Sequence, residues 1–137
     1  MNQKARPEGR LVMQTHPRGN DLNPNGTVFG GWVLSIMDAA GAMVAIKAAK
    51  GRISTVGVEG VHFFMPLWHG DVACIYGSVV KLGTTSVTVK LEVWAMRKGQ
   101  WDLIEGYEDL EKCADGLYTF VAIDDQGKPR PINPPSA

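Results

Sequence analysis

From Gly30 to Lys50 the chain carries no proline, and its only acidic residue there is Asp38. Alanine, methionine, leucine and isoleucine dominate, so the segment is expected to be a helix. Asn23, Pro24, Asn25 and Gly26 precede it as a turn, because proline presets φ and glycine tolerates positive φ. Gly51 is placed to stop the helix, with Lys47, Lys50 and Arg52 near the negative end of its dipole. A helix apolar on all sides has to be buried. It is a poor membrane span, being short and alanine-rich, with Asp38 near the bilayer centre.

Asp38 is the exception in this segment. Burying a carboxylate without a partner costs several kcal/mol, so the group has to be paired, hydrated by a cleft or protonated. Ala39, Ala40, Gly41 and Ala42 around it let another backbone approach closely. Gly41 costs the helix ~1 kcal/mol relative to alanine. Local conflicts of this kind mark functional sites.

A chain of 137 residues is long enough for one domain with a real core. Its 14 basic residues balance its 14 acidic ones, which argues against a nucleic-acid partner. Cys74 and Cys113 have no metal-ligand spacing; buried free thiols and no metal site are expected. The N-terminus lacks the apolar stretch of a signal peptide, so a cytoplasmic protein without membrane insertion is expected.

Residues 1 to 9 are polar and read as a loose N-terminus, residues 10 to 124 as the domain, and residues 125 to 137 as a proline-rich tail. A short strand is expected over residues 11 to 13. After the helix come strands over residues 53 to 64, 72 to 81, 85 to 96 and 117 to 123. In the third of these, Val87, Val89, Leu91, Val93 and Ala95 alternate with Ser86, Thr88, Lys90, Glu92 and Trp94. Gly57 and Gly60 are candidate bulges. Residues 97 to 114 fit no single element. Consecutive strands on short turns pair antiparallel, so the class is α+β, with about five strands curled around one central helix.

This order resembles the hotdog fold, and the motifs resemble the YciA-type acyl-CoA thioesterases. The resemblance rests on Asn23 to Trp32, Met37-Asp38, Val58-Glu59, Gly70-Asp71-Val72, Gly83 to Ser86, Glu92 to Trp94, and Phe120 to Asp124 with Gly127 to Pro129. It implies an acyl-CoA thioester hydrolase in which Asp38 is catalytic, Asn23 assists, and the backbone around Gly30 and Gly31 receives the thioester oxygen. It also implies homodimers or trimers of dimers with sites shared between subunits. No cofactor is expected, coenzyme A being part of substrate and product.

The residues suit that chemistry. Gly30 and Gly31 fall at the helix N-terminus, where unpaired N–H groups and the positive dipole end can hold an oxyanion. Asp38 can serve as general base on water or as a nucleophile. Asn23 before a proline is also ordinary turn chemistry. Gly30 and Asp38 are eight residues apart, ~12 Å along one helix axis. One carbonyl cannot touch both, whereas two helices antiparallel across a two-fold axis bring one N-terminus beside the other's Asp38. For the phosphates and pantetheine amides of CoA, Arg52, Thr85 and Ser86 are candidates, with Arg97, Lys98, Lys128 and Arg130 behind them. Two other functions compete: a hydratase or dehydratase, which would want a histidine that the helix lacks, and a non-catalytic acyl-CoA-binding protein, in which Asp38 would be dispensable.

Overall fold

The computed structural model describes residues 6 to 99 and 110 to 132. Strand β1 (Arg10–Thr15) leads through a single 3-10 turn at Gly19–Asp21 to helix α1 (Gly30–Ala49). Strands β2 (Ile53–Phe63), β3 (Val72–Leu82), β4 (Ser86–Met96) and β5 (Glu111–Ala122) follow. All pairings are antiparallel and the sheet order is β1-β3-β4-β5-β2. This is the expected hotdog arrangement, five strands against one long helix. The register of β2 shifts between Thr55 and Gly57 and again between Glu59 and His62, so both suspected glycines sit at irregularities.

The helix is long and apolar enough to cross a membrane by length and composition. Here Val33, Ile36, Met37, Ala40, Gly41, Ala45 and Ala49 are buried against the sheet instead. The inward residues of β4 named above are all fully buried beneath them. Gly41 has a packing reason: a Cβ there would lie 2.8 Å from Leu91 Cδ1 and 2.9 Å from Phe120 Cζ. Gly41→Ala is therefore expected to destabilise the fold by up to about 2 kcal/mol, an overpacking cost of about 1–3 kcal/mol outweighing the ~1 kcal/mol gain in helix propensity. Urea unfolding checks the sign; a stabilised variant would show that the helix and sheet have slack here.

Three local expectations need correction. The helix is not buried all round: Leu34, Met43 and Ile46 are exposed. The left-handed residue that ends it is Lys50 (φ 56°), not Gly51. Gly51 is small for another reason, since a Cβ there would stand 2.6 Å from Nη2 of Arg130. That Nη2 donates to the Ala49 carbonyl at 2.8 Å, closing one of the open carbonyls of the last turn. Residues 125 to 132 return to the domain: Arg130 N–H reaches Ala122 O, and Ile132 N–H reaches Thr84 O at 2.9 Å, with Ile132 buried.

Strand β5 starts at Glu111, six residues before the expected Leu117. Residues 100 to 109, most of the segment that fitted no single element, lie outside the described residues. The outer sheet face is also less polar than its alternation implies. Cys74, Tyr76, Trp94 and Met96 make a second buried cluster there. Glu92 is buried beside it, accepting from Trp94 Nε1 (3.1 Å) and Glu8 N–H (2.9 Å) and pairing with Lys112 Nζ (3.1 Å).

Candidate active site

Helix α1 begins where the chain leaves extended geometry at Phe29 (φ −75°, ψ 151°). The approach is fixed by backbone bonds: Val28 N–H to Leu67 O at 2.9 Å and Phe29 N–H to Asp21 O at 3.1 Å. Trp32 N–H already turns back to Phe29 O. The Gly30 and Gly31 N–H groups belong to the open first turn, and neither has an acceptor among the described residues. Gly30 lies on the wall of a cavity of about 360 Å³. The rest of the lining is Val28, Val33, Phe63, Phe64, Met65, Pro66, Leu67 and Cys113. Burial pushes the Cys113 thiol up to about 11, so it stays neutral and contributes to an uncharged wall.

One side of that cavity is the strip of residues 64 to 68 between β2 and β3, outside the named strands, with Trp68 bridged antiparallel to Thr27. A buried carboxylate braces it. Asp71 Oδ2 accepts from Trp68 N–H (2.9 Å) and Arg97 Nη1 (2.6 Å), and Oδ1 from Lys98 N–H (3.1 Å). Arg97 Nη1 also donates to Pro66 O at 2.9 Å, and Nη2 to Glu111 Oε2 at 2.8 Å. Burial works against the Arg97 charge, yet Glu111 and Asp71 raise its pKa above the ordinary value.

Asp38 is on another side of the helix. It is half-buried rather than buried, and Thr55 Oγ1 on β2 donates to its Oδ1 at 2.7 Å. That partner was invisible in the sequence, where Thr55 is one of several polar residues in a strand. Tyr118 is adjacent: burial, and then the Asp38 carboxylate, push its phenol up to about 12. It is therefore a proton donor at neutral pH, and it donates to Leu34 O at 2.8 Å. Leu34, one helix turn before Asp38, is exposed, as are Val56 and Val58 of β2 next to its partner Thr55. Strand β2 is a sheet edge.

Within one chain, Asp38 and the glycine amides are thus not brought together. Asn23 is exposed in its turn, its Nδ2 donating to Thr27 Oγ1 at 3.1 Å, and it makes no bond to Asp38. Arg52, Thr85 and Ser86 do converge. Arg52 O accepts from Ile123 N–H, Thr85 O accepts from Ala122 N–H, and Ser86 pairs with Val121, so all three flank the end of β5. That is the Thr55 end of β2, whereas the cavity lies at the Phe63 end. Arg52 is exposed. Arg97 and Arg130 are engaged in internal hydrogen bonds.

One long helix against a five-stranded antiparallel sheet, its N-terminus opening on an apolar cavity, is the architecture of a hotdog-fold thioesterase. Residues 25–100 match the Thioesterase superfamily, and the chain belongs to it. It is 43% identical over 126 residues to the acyl-CoA thioester hydrolase YciA of Salmonella typhimurium, covering 92% of each chain. The hexameric thioesterase y2039 from Yersinia pestis superposes with a TM-score of 0.83 at 39% identity, over 93% of this chain and 98% of that one. The acyl-CoA hydrolase of Staphylococcus aureus is more distant (26% identity, TM-scores 0.74 and 0.75, 87% of this chain and 69% of that one). Its structures include one alanine variant of an aspartate and one of a threonine. Those two positions are 17 residues apart, as Asp38 and Thr55 are here.

Proposed function

We propose that the protein hydrolyses the thioester of acyl-CoA to free CoA and a carboxylic acid, at sites formed between two copies of the chain. The observation that carries this is the pair of unbonded N–H groups, Gly30 and Gly31, at an apolar cavity. The acyl group occupies the cavity and the thioester oxygen faces the two amides. Donors placed on a developing oxyanion contribute ~3–4 kcal/mol to the transition state. Asp38 comes from the partner copy, because its own is ~12 Å along the helix. The exposed helix side and the edge strand β2 supply an apolar surface for that copy. The hexameric relative favours three such dimers.

Asp38 acts as a general base. Thr55 occupies Oδ1, which leaves Oδ2 for the proton of the attacking water. The water oxygen bonds to the carbonyl carbon as the carbonyl electrons move onto oxygen. The adduct collapses, the C–S bond breaks, and the CoA thiolate takes the proton back from Asp38. Asn23 orients the water or donates to the carbonyl. Arg52, Thr85 and Ser86 hold the phosphates and pantetheine amides.

Release of free thiol from a panel of acyl-CoAs tests the activity, and no release from any member would overturn it. Thr55→Val keeps the shape and deletes the donor to Asp38. It is expected to lower kcat about tenfold with KM little changed, which corresponds to ~1.4 kcal/mol. An unchanged kcat would remove Thr55 from the mechanism.

A further inference from the structure

We infer that Arg97 and Asp71 are positioning residues that set the width of the acyl cavity and thereby the preference among acyl groups. The inference rests on the thioesterase reading. The wall in question is the strip of residues 64 to 68. Phe64 N–H is held by Cys113 O at 2.7 Å, and Leu67 O by Val28 N–H at 2.9 Å. Met65 N–H also reaches Cys113 O at 3.4 Å, and at the far end Trp68 forms an isolated bridge with Thr27, with His69 N–H on Gly26 O at 3.1 Å. Between these backbone anchors Pro66 has no N–H to offer. What fixes its carbonyl is the side-chain brace: Arg97 bonds Pro66 O, and Asp71 holds both Arg97 and Trp68 N–H. The Asp71 side chain is 4% exposed and the Arg97 side chain 18%. A buried carboxylate with three donors holds one geometry, because any displacement leaves a polar group without a partner. Pro66 and Leu67, held this way, line the cavity. Neither Arg97 nor Asp71 does, so both act through the strip.

The consequence is selective. Acetyl-CoA presents too small a group to press on this wall, whereas a medium-chain acyl group is packed against it. A single methylene in an apolar pocket is worth about 10–200-fold in discrimination. Releasing the strip therefore affects long groups first.

The test compares kcat/KM for octanoyl-CoA and acetyl-CoA in wild type, Arg97→Gln, Arg97→Lys and Trp94→Leu, all well below their melting temperatures. Trp94 belongs to the outer buried cluster, so its replacement lowers stability without touching the strip. The octanoyl to acetyl ratio is expected to fall about tenfold or more in Arg97→Gln. Lysine keeps the charge and one bond but cannot serve Pro66 O and Glu111 together, so Arg97→Lys is expected to fall between. If Arg97→Gln does not fold, this intermediate ratio carries the test. Trp94→Leu is expected to keep the wild-type ratio. Equal losses for both substrates in the Arg97 variants, or the same shift in Trp94→Leu, would overturn the inference. No cleavage by wild type would overturn the thioesterase reading as well, whereas cleavage with an unmoved ratio overturns the inference alone.

Discussion

Asp38→Asn is expected to lower kcat by a factor of about 10²–10⁴, the range in which a positioned general base acts. The substitution is close to isosteric. The amide oxygen can still accept from Thr55 Oγ1, so the bond across from α1 to β2 survives. The residue is half-buried and outside the apolar core, so the melting temperature should move little. Affinity for CoA, measured by calorimetry, should also be kept, because the bond that Asp38 makes is to Thr55 and not to Arg52, Thr85 or Ser86, the residues assigned to the phosphates and amides. A loss confined to kcat is the signature of an interaction made in the transition state. Hydrolysis within a factor of ten of wild type would remove Asp38 from the chemistry.

Mixing Asn23→Ala chains with Asp38→Ala chains is expected to restore activity that neither has alone. Each homodimer carries a defect in both of its sites. After dissociation and random reassociation about half of the dimers are mixed, since a two-fold interface admits either chain at either position. In a mixed dimer one site holds both substitutions and the other holds neither. About a quarter of all sites are then intact, and activity should approach that fraction of wild type. Differently tagged chains report whether exchange took place. Mixed dimers that gain no activity would place Asn23 and Asp38 of each site on the same chain. The single chain gives the prediction its footing: Asn23 makes no bond to Asp38, whose surroundings are an open helix side and an unpaired strand edge.

The parts of the fold that were legible are those in which one periodicity decides. Strand β4 buries the residues that its period puts inward, helix α1 was marked by an unbroken apolar run, and β5 failed because its first half lacks either signal. Its first half carries Glu111, Lys112 and Asp115, polar residues that read as loop. In the folded chain Glu111 and Lys112 are satisfied across strands, by Arg97 and Glu92, and Asp115 by Lys112. A single sequence contains no sign of such long-range partners. The same blindness hid Thr55 and the brace on residues 64 to 68. Asp38 was conspicuous because it stood alone among apolar residues. Its expected burial was an inference from composition, and composition does not say which side of a helix a sheet leaves open.

The sheet order has a consequence for how the chain is made. Among the described residues strand β2 has no neighbour except β5, and the C-terminal carbonyl of α1 takes its bond from Arg130, 81 residues further on. At ~5–20 residues per second a ribosome needs about 4 to 16 s to synthesise that interval. For most of it β2 has been made and its partner strand has not. Until β5 emerges, the nascent chain presents an unpaired strand of the kind that chaperones recognise.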